Sequence, residues 1–142
     1  MAAIPDEIRE VIESGKLAHL VTLNKDGSPQ VSIVWLGIDD GELVCAHLGD
    51  YQKLRNIRRD PRVTISMEAE GKNSFGLDKY VVIGGTARIT EGGAADLLQK
   101  LAYTYIGPNA GKFPPMDNPP AGFITHITPE KFGGVGPWAG NP

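Results

Sequence analysis

A chain of 142 residues and 15.2 kDa has room for one domain with one core, and 41% hydrophobic against 22% charged content is that of an ordinary globular protein, with no low-complexity tract or internal repeat. A net charge of -3 argues against a surface built for nucleic acid, so no nucleic-acid partner is expected and any anion site must be local. The single cysteine, Cys45, excludes an internal disulfide framework, and no apolar run approaches the roughly 20 residues that span a bilayer, so a cytoplasmic protein with no membrane contact is expected.

Met1 to Ser14 reads as a short amphipathic helix: Ile4, Ile8, Val11 and Ile12 recur at helical spacing, with Pro5 as its first helical residue. Leu17 to Leu23 reads as a strand, and Asn24 to Ser28 supplies turn chemistry. Gln30 to Ile38 then resumes as one strand, with Val31, Ile33 and Trp35 alternating against Gln30, Ser32 and Val34. A second turn at Asp39-Asp40-Gly41 leads into a strand from Leu43 to His47, completing an antiparallel meander. Asp50 is placed to cap a helix from Gln52 to Arg59, which must stop at Asp60-Pro61 because proline forces its predecessor out of helical geometry. Arg62 to Glu68 and Lys79 to Thr90 are β-branched runs, the second interrupted at Gly84-Gly85, where a strand bends or bulges. Thr90 reads as the cap of a helix over Ala94 to Tyr105 with Leu97, Leu98, Leu101 and Tyr105 on its apolar face. Gly107 to Pro120 is an aperiodic loop with the character of a lid, Phe123 to Thr128 a last strand, and Pro129 to Pro142 a tail with an exposed Trp138. Six short strands with a small helix inserted after the third predict a mainly β fold: a closed or nearly closed antiparallel barrel with peripheral helices.

Few residues carry obvious chemistry. His19, His47 and His126 sit on separate strands without metal-ligand spacing and read as half-buried or surface strand residues, so no metal is expected. Cys45 lies mid-strand and reads as a buried, inert thiol. There is no Gly-x-Ser-x-Gly elbow and no phosphate loop, and Gly133 to Gly136 precedes no helix, which removes the hydrolase and dinucleotide-fold readings. One segment stands apart. Lys53, Arg55, Arg58, Arg59 and Arg62 place five of the chain's 14 basic residues in ten positions of an acidic protein. The first turn of a short helix favours phosphate through its free N–H groups and dipole, and Lys53 lies in that turn. Composition alone leaves two readings open, an anion site and an ordinary solvated face.

The segment K-L-R-N-I-R-R-D-P-R followed by V-T-I-S closely resembles the Lys-x-x-Asn-(Ile/Leu)-x-x-(Asp/Asn)-Pro-(Arg/Lys) signature of the FMN- and F420-binding split-barrel superfamily, the pyridoxamine-phosphate-oxidase-like proteins. The hairpin L-V-T-L-N-K-D-G-S-P-Q-V-S-I-V resembles that family's opening, and V-I-G-G-T-A-R-I-T its strand before the long helix, so the resemblance runs along nearly the whole chain. The short length, the R-R-D-P-R form and a C-terminal G-P-W are most similar to the F420-dependent oxidoreductases; the further C-terminal arginines of longer pyridoxamine oxidases are missing, and Tyr51 stands where some relatives carry a basic residue.

The resemblance implies a six-stranded split barrel working as a homodimer, with the cofactor in clefts between subunits. It implies that Lys53 binds the cofactor phosphate with Leu54 and Asn56 nearby, that Gln30, Ser32 and Val34 lie along the ring plane, and that Thr64 and Ser66 reach the ring or its ribityl chain. Lys79, Tyr80 and Trp138 would come from the opposite subunit. Each has an ordinary reading beside it: Gln30 and Ser32 as the solvent face of a strand, Tyr80 as core, Trp138 as a packing anchor. Coenzyme F420 is the expected cofactor, delivering a hydride to a small electron-poor organic acceptor, with no side chain assigned as catalytic acid or base, since the cofactor carries that chemistry. FMN is the alternative cofactor, and a non-catalytic flavin- or haem-binding protein the alternative function.

Overall fold

The computed structural model describes residues 2–139; Met1 of the expected first helix and residues 140–142 of the expected tail lie outside them. In chain order the elements are α1 (Asp6–Ile12), β1 (Ala18–Leu23), β2 (Pro29–Val34), β3 (Gly37–Asp39), β4 (Glu42–His47), α2 (Gln52–Arg59), β5 (Arg62–Lys72), β6 (Asp78–Glu91), α3 (Ala94–Tyr105), β7 (Phe123–Val135) and a closing 3-10 turn at Pro137–Ala139. Seven strands form one antiparallel sheet in the order β2-β1-β5-β6-β7-β4-β3. Its two edges, β2 and β3, are consecutive in the chain and separated only by Trp35 and Leu36, so the sheet must curl until its edges almost meet. That is a mainly β split barrel. No helix among the described residues is long and apolar enough to cross a membrane.

The expected single strand from Gln30 to Ile38 is two strands, which raises the count from six to seven. The break has its cause in α3. Trp35 stacks on Tyr105 at 5.4 Å between ring centroids, and the Tyr105 hydroxyl both accepts from the Leu36 N–H at 2.9 Å and donates to the Leu36 carbonyl at 3.3 Å. A side chain thus satisfies the backbone groups that a neighbouring strand would otherwise take.

Both expected caps are corrected. Helix α2 begins after Tyr51 with no side-chain cap, because the Asp50 carboxylate is taken by Arg58 at 2.9 Å. Helix α3 begins after Gly93 at φ 78°, and Thr90 remains in β6 with its hydroxyl 2.9 Å from His126 Nε2. Pro5 precedes α1 and is not its first helical residue. The last strand continues past Thr128 to Val135, so much of the expected tail is sheet, and the fifth reaches Lys72 where Glu68 was expected.

Alternation builds the interior. Ala18 and Leu20 of β1, Val63, Ile65 and Met67 of β5, Val81 and Ile83 of β6, Leu43 and Cys45 of β4 and Ile127 of β7 form one cluster, which Ile8, Val11 and Ile12 of α1 join from outside the sheet. Each such Ile or Leu contributes about 1.5–3 kcal/mol relative to exposure.

The glycine pair in β6 marks a real irregularity, since the register with β7 shifts between Gly84 and Gly85. A Cβ at Gly85 would fall on the Thr128 carbonyl oxygen, which is backbone and cannot swing aside, whereas one at Gly84 would meet only Lys131 Cβ at 3.8 Å. Gly85→Ala is therefore expected to destabilise the fold by about 2–4 kcal/mol and Gly84→Ala by less than about 1 kcal/mol. Urea unfolding of the two variants side by side checks this, and equal midpoints would contradict it.

Candidate functional site

Helix α2 is short because Asp60-Pro61 stops it, and its position is fixed by the face it buries: Leu54, Asn56 and Ile57. Asn56 is fully buried and its amide is saturated by the protein. Its Nδ2 donates to Thr22 Oγ1 at 3.0 Å and to Asn24 Oδ1 at 2.9 Å, and its Oδ1 accepts from Gln52 Nε2 at 2.8 Å. Thr22 in turn donates to Gln30 Oε1 at 3.2 Å. The Lys-x-x-Asn spacing thereby acquires a physical meaning. Asn56 locks the rotation of α2 against the β1–β2 hairpin, and Lys53, one turn earlier, is held in place by that lock.

The basic run is engaged by the protein itself except at one position. Arg58 pairs with Asp50; Arg55 donates to the Asp50 carbonyl at 2.8 Å; Arg59 donates to the Leu23 carbonyl. Arg62 grips Asp60 through two donors at 3.0 and 2.7 Å, and those hydrogen bonds hold the Asp60 carboxyl down to about 2. Lys53 alone of the five has no hydrogen-bond or ion-pair partner among the described residues; its Nζ lies 5.6 Å from the Tyr51 ring centroid, and burial lowers its pKa.

Lys53 opens on a groove of about 290 Å³ whose walls include Val34, Trp35, His47, Tyr51 and Phe113. Phe113 belongs to the loop between α3 and β7 and packs on Trp35 at 5.0 Å. Gln99 of α3 pins that loop, donating to the Gly111 carbonyl at 2.7 Å and accepting from the Phe113 N–H at 2.9 Å. The groove therefore combines aromatic walls with a single charge.

The structure separates the other expected site residues. Gln30, Ser32 and Val34 stand opposite Thr22, Leu20 and Ala18 of β1 and share their inward face. This reverses the ordinary reading of Gln30 and Ser32 as a solvent face: Val31 and Ile33 are the outward residues, at 58% and 56% exposure. Ser32 Oγ is the one buried side-chain polar atom among the described residues with no partner. Thr64 and Ser66 stand opposite Val21 and His19, on the outer face. There Ser66, Lys79 and Tyr80 line a second groove of about 760 Å³ with His19. Leu54, with no exposure, and Asn56 lie on the buried face of α2, so they support the site from beneath. Trp138 is half-buried against the chain's own core and donates from Nε1 to the Tyr80 carbonyl at 3.1 Å.

Trp35, Phe113 and His47 are groove residues that pattern reading misses. His47 is corrected from a half-buried or surface residue to a buried one, at 3% exposure. Burial, reinforced by the charge on Lys53, pushes its pKa down to about 4. A folded value below the unfolded 6.5 means that protons favour the unfolded chain; stability is complete above about pH 6.5 and lost as pH falls towards 4. The gap corresponds to about 3 kcal/mol. Urea unfolding at pH 7 and pH 4.5 should show a loss of that order, and His47→Phe should remove most of the difference. Cys45, with no exposure, has its thiol pushed up to about 12 by burial and stays protonated. No group of three or more His, Cys, Asp or Glu among the described residues is arranged to hold a metal.

A half-buried ammonium without an anion, at a helix N-terminus beside an aromatic groove, fits the phosphate-bearing end of a flavin or deazaflavin cofactor. A structure described as an F420 reductase is 27% identical, with 92% of this chain and 98% of that chain covered and a TM-score of 0.69. General Stress Protein 26 from Bacillus anthracis str. Sterne (18% identity, 92% of each chain, TM-score 0.63) shares the fold, as does a haem-binding protein from Mycobacterium smegmatis (23%, 95% of this chain and 56% of that one, TM-score 0.62). Residues 4–135 match the family described as pyridoxamine 5'-phosphate oxidase. With that match spanning almost the whole barrel, the chain belongs to the pyridoxamine 5'-phosphate oxidase-like split-barrel family, which includes oxidoreductases and has F420 reductase relatives.

Proposed function

We propose that this protein is an F420-dependent oxidoreductase that reduces a small electron-poor organic acceptor, and that it works as a homodimer with the cofactor in clefts between subunits. The observation that carries this reading is Lys53: a half-buried cation without a counter-ion, fixed by the Asn56 network and facing a groove walled by Trp35 and Phe113. Lys53 and the first N–H groups of α2 hold the cofactor phosphate. Strand β2 is a sheet edge, so main-chain groups between Gln30 and Val34 have no partner strand on one side and are free to bind the ring. Gln30, Ser32 and Val34 then act through their backbone, their side chains being turned inward. Thr64 and Ser66 reach the ring from the outer face. The apolar outward side chains Leu17, Val31, Ile33 and Tyr80 form the surface that a second subunit covers, and Lys79, Tyr80 and Trp138 serve the cleft across that contact.

When bound, reduced F420 supplies the hydride; the residues of this chain bind, orient and exclude water. The 27% identity to an F420 reductase supports the deazaflavin over FMN. Titrating the purified protein with F420 and, in parallel, FMN, while following tryptophan fluorescence, tests the reading directly, because Trp35 lines the groove. Tighter binding of F420, followed by its oxidation on addition of quinone-like or activated-alkene acceptors, is the expected result. Tighter FMN binding would reassign the cofactor, and binding of neither would remove the oxidoreductase reading.

A further inference from the structure

We propose that His47 is a second ligand-binding donor in the Lys53 groove, presenting Nδ1–H of a neutral imidazole to an oxyanion whose charge Lys53 balances. This rests on the reading of the groove as the seat of a cofactor phosphate and adds a residue that neither the charge pattern nor the family signature assigns.

The neighbours of Nε2 suit the tautomer that carries its proton on Nδ1. His47 Nε2 lies 2.8 Å from Thr125 Oγ1 and 3.7 Å from Cys45 Sγ. The Cys45 thiol is protonated at neutral pH, so Nε2 faces two groups able to donate, an O–H and an S–H. With both groups donating, Nε2 accepts and the ring proton sits on Nδ1, which is the tautomer the proposal requires. No hydrogen-bond partner for Nδ1 exists among the described residues, yet Nδ1 is not sealed in the core, because Ser32 Oγ is the one such atom both buried and unpartnered. The ring lines the groove together with the equally unpartnered Lys53. An N–H donor without an acceptor and a cation without an anion, in one small groove with apolar walls, are satisfied together by a single phosphoryl or carboxylate group. Water would satisfy the donor and leave the charge uncompensated. Two cations in the same space would repel each other, and the burial that keeps His47 neutral lets it stand beside Lys53 as a donor that does not titrate across physiological pH.

Long-range 1H–15N spectra of histidine-labelled protein, assigned with His19→Gln and His126→Gln variants, read the tautomer without any ligand. Protonation of Nδ1 is expected, and a shift of that resonance alone on adding inorganic phosphate or F420. Two variants separate binding from support of the fold. Asparagine places its amide nitrogen near the position of Nδ1, so His47→Asn should retain F420 affinity within about threefold, while His47→Phe, which fills the space without a donor, should lose about tenfold. An Nε2-protonated ring, or equal affinities for wild type and His47→Phe, would overturn the proposal while leaving the cofactor reading intact. If neither F420 nor FMN binds the wild type, the cofactor reading fails by itself. The phosphate titration then decides: a shifted Nδ1 resonance upholds the oxyanion site, and an unmoved one removes it.

Discussion

Lys53→Ala should weaken F420 binding roughly 10- to 100-fold while changing the stability of the free protein by less than about 0.5 kcal/mol, since a charge-assisted hydrogen bond contributes about 1.5–3 kcal/mol and this one exists only in the complex. The combination matters more than either number. A lysine that served the fold would have a carboxylate or carbonyl to bind, and its loss would cost stability; Lys53 has neither among the described residues, and burial already disfavours its charge. Arg58→Ala is the matched control from the same helix: its guanidinium is spent on Asp50 at the surface, a pair of small value, so cofactor affinity should stay unchanged. Lys53→Arg should recover only part of the binding, because a planar, longer fork does not reproduce a compact ammonium in a groove of about 290 Å³. Fluorescence titration gives the affinities and urea unfolding the stabilities. A large loss of stability in Lys53→Ala, or unchanged affinity, would return the basic helix to the solvated face that composition alone leaves open.

What the sequence conveys and what it withholds divide along physical lines. Turn residues and the Asp60-Pro61 stop act locally, so the hairpin at Asn24 to Ser28 and the end of α2 at Arg59 are readable directly. The break at Trp35–Leu36 is not, because its cause is the Tyr105 hydroxyl, 69 residues away. The facing of β2 misleads for a different reason. Alternation assigns two faces, but the rule that apolar residues point inward assumes that nothing covers the outside. Here Val31 and Ile33 lie outside, and Gln30 is drawn inward by Thr22, whose hydroxyl Asn56 holds. That inversion is what a strand shows when its outward face is reserved for another surface, in keeping with the proposed subunit contact. His47 escapes notice because a lone strand histidine carries no motif; its importance comes from Thr125, which the pairing of β4 with β7 brings near, and from Lys53 in the helix that follows.

Asn56→Ala is expected to be the most destabilising substitution in the basic segment, by about 3–4 kcal/mol, although it removes no apolar contact of note. The side chain has no exposure, and its amide joins three parts of the chain: Thr22 in β1, Asn24 in the turn that follows, and Gln52 at the start of α2. Truncation removes these bonds together and leaves the buried Thr22 hydroxyl and the part-buried Asn24 Oδ1 each without a donor, which is the costly way to lose a hydrogen bond. Asn56→Leu fills the volume but orphans the same groups and should recover little, whereas a mere packing defect would be repaired by it. The consequence for the groove follows from the geometry of α2. With its lock gone the helix can turn about its own axis, Lys53 is no longer aimed, and F420 affinity should fall even at low temperature, where the variant remains folded. Urea unfolding checks the first effect and titration at 10 °C the second; a stability loss below about 1 kcal/mol would mean that Leu54 and Ile57 alone hold the helix, and that the asparagine of the Lys-x-x-Asn pair has some other task.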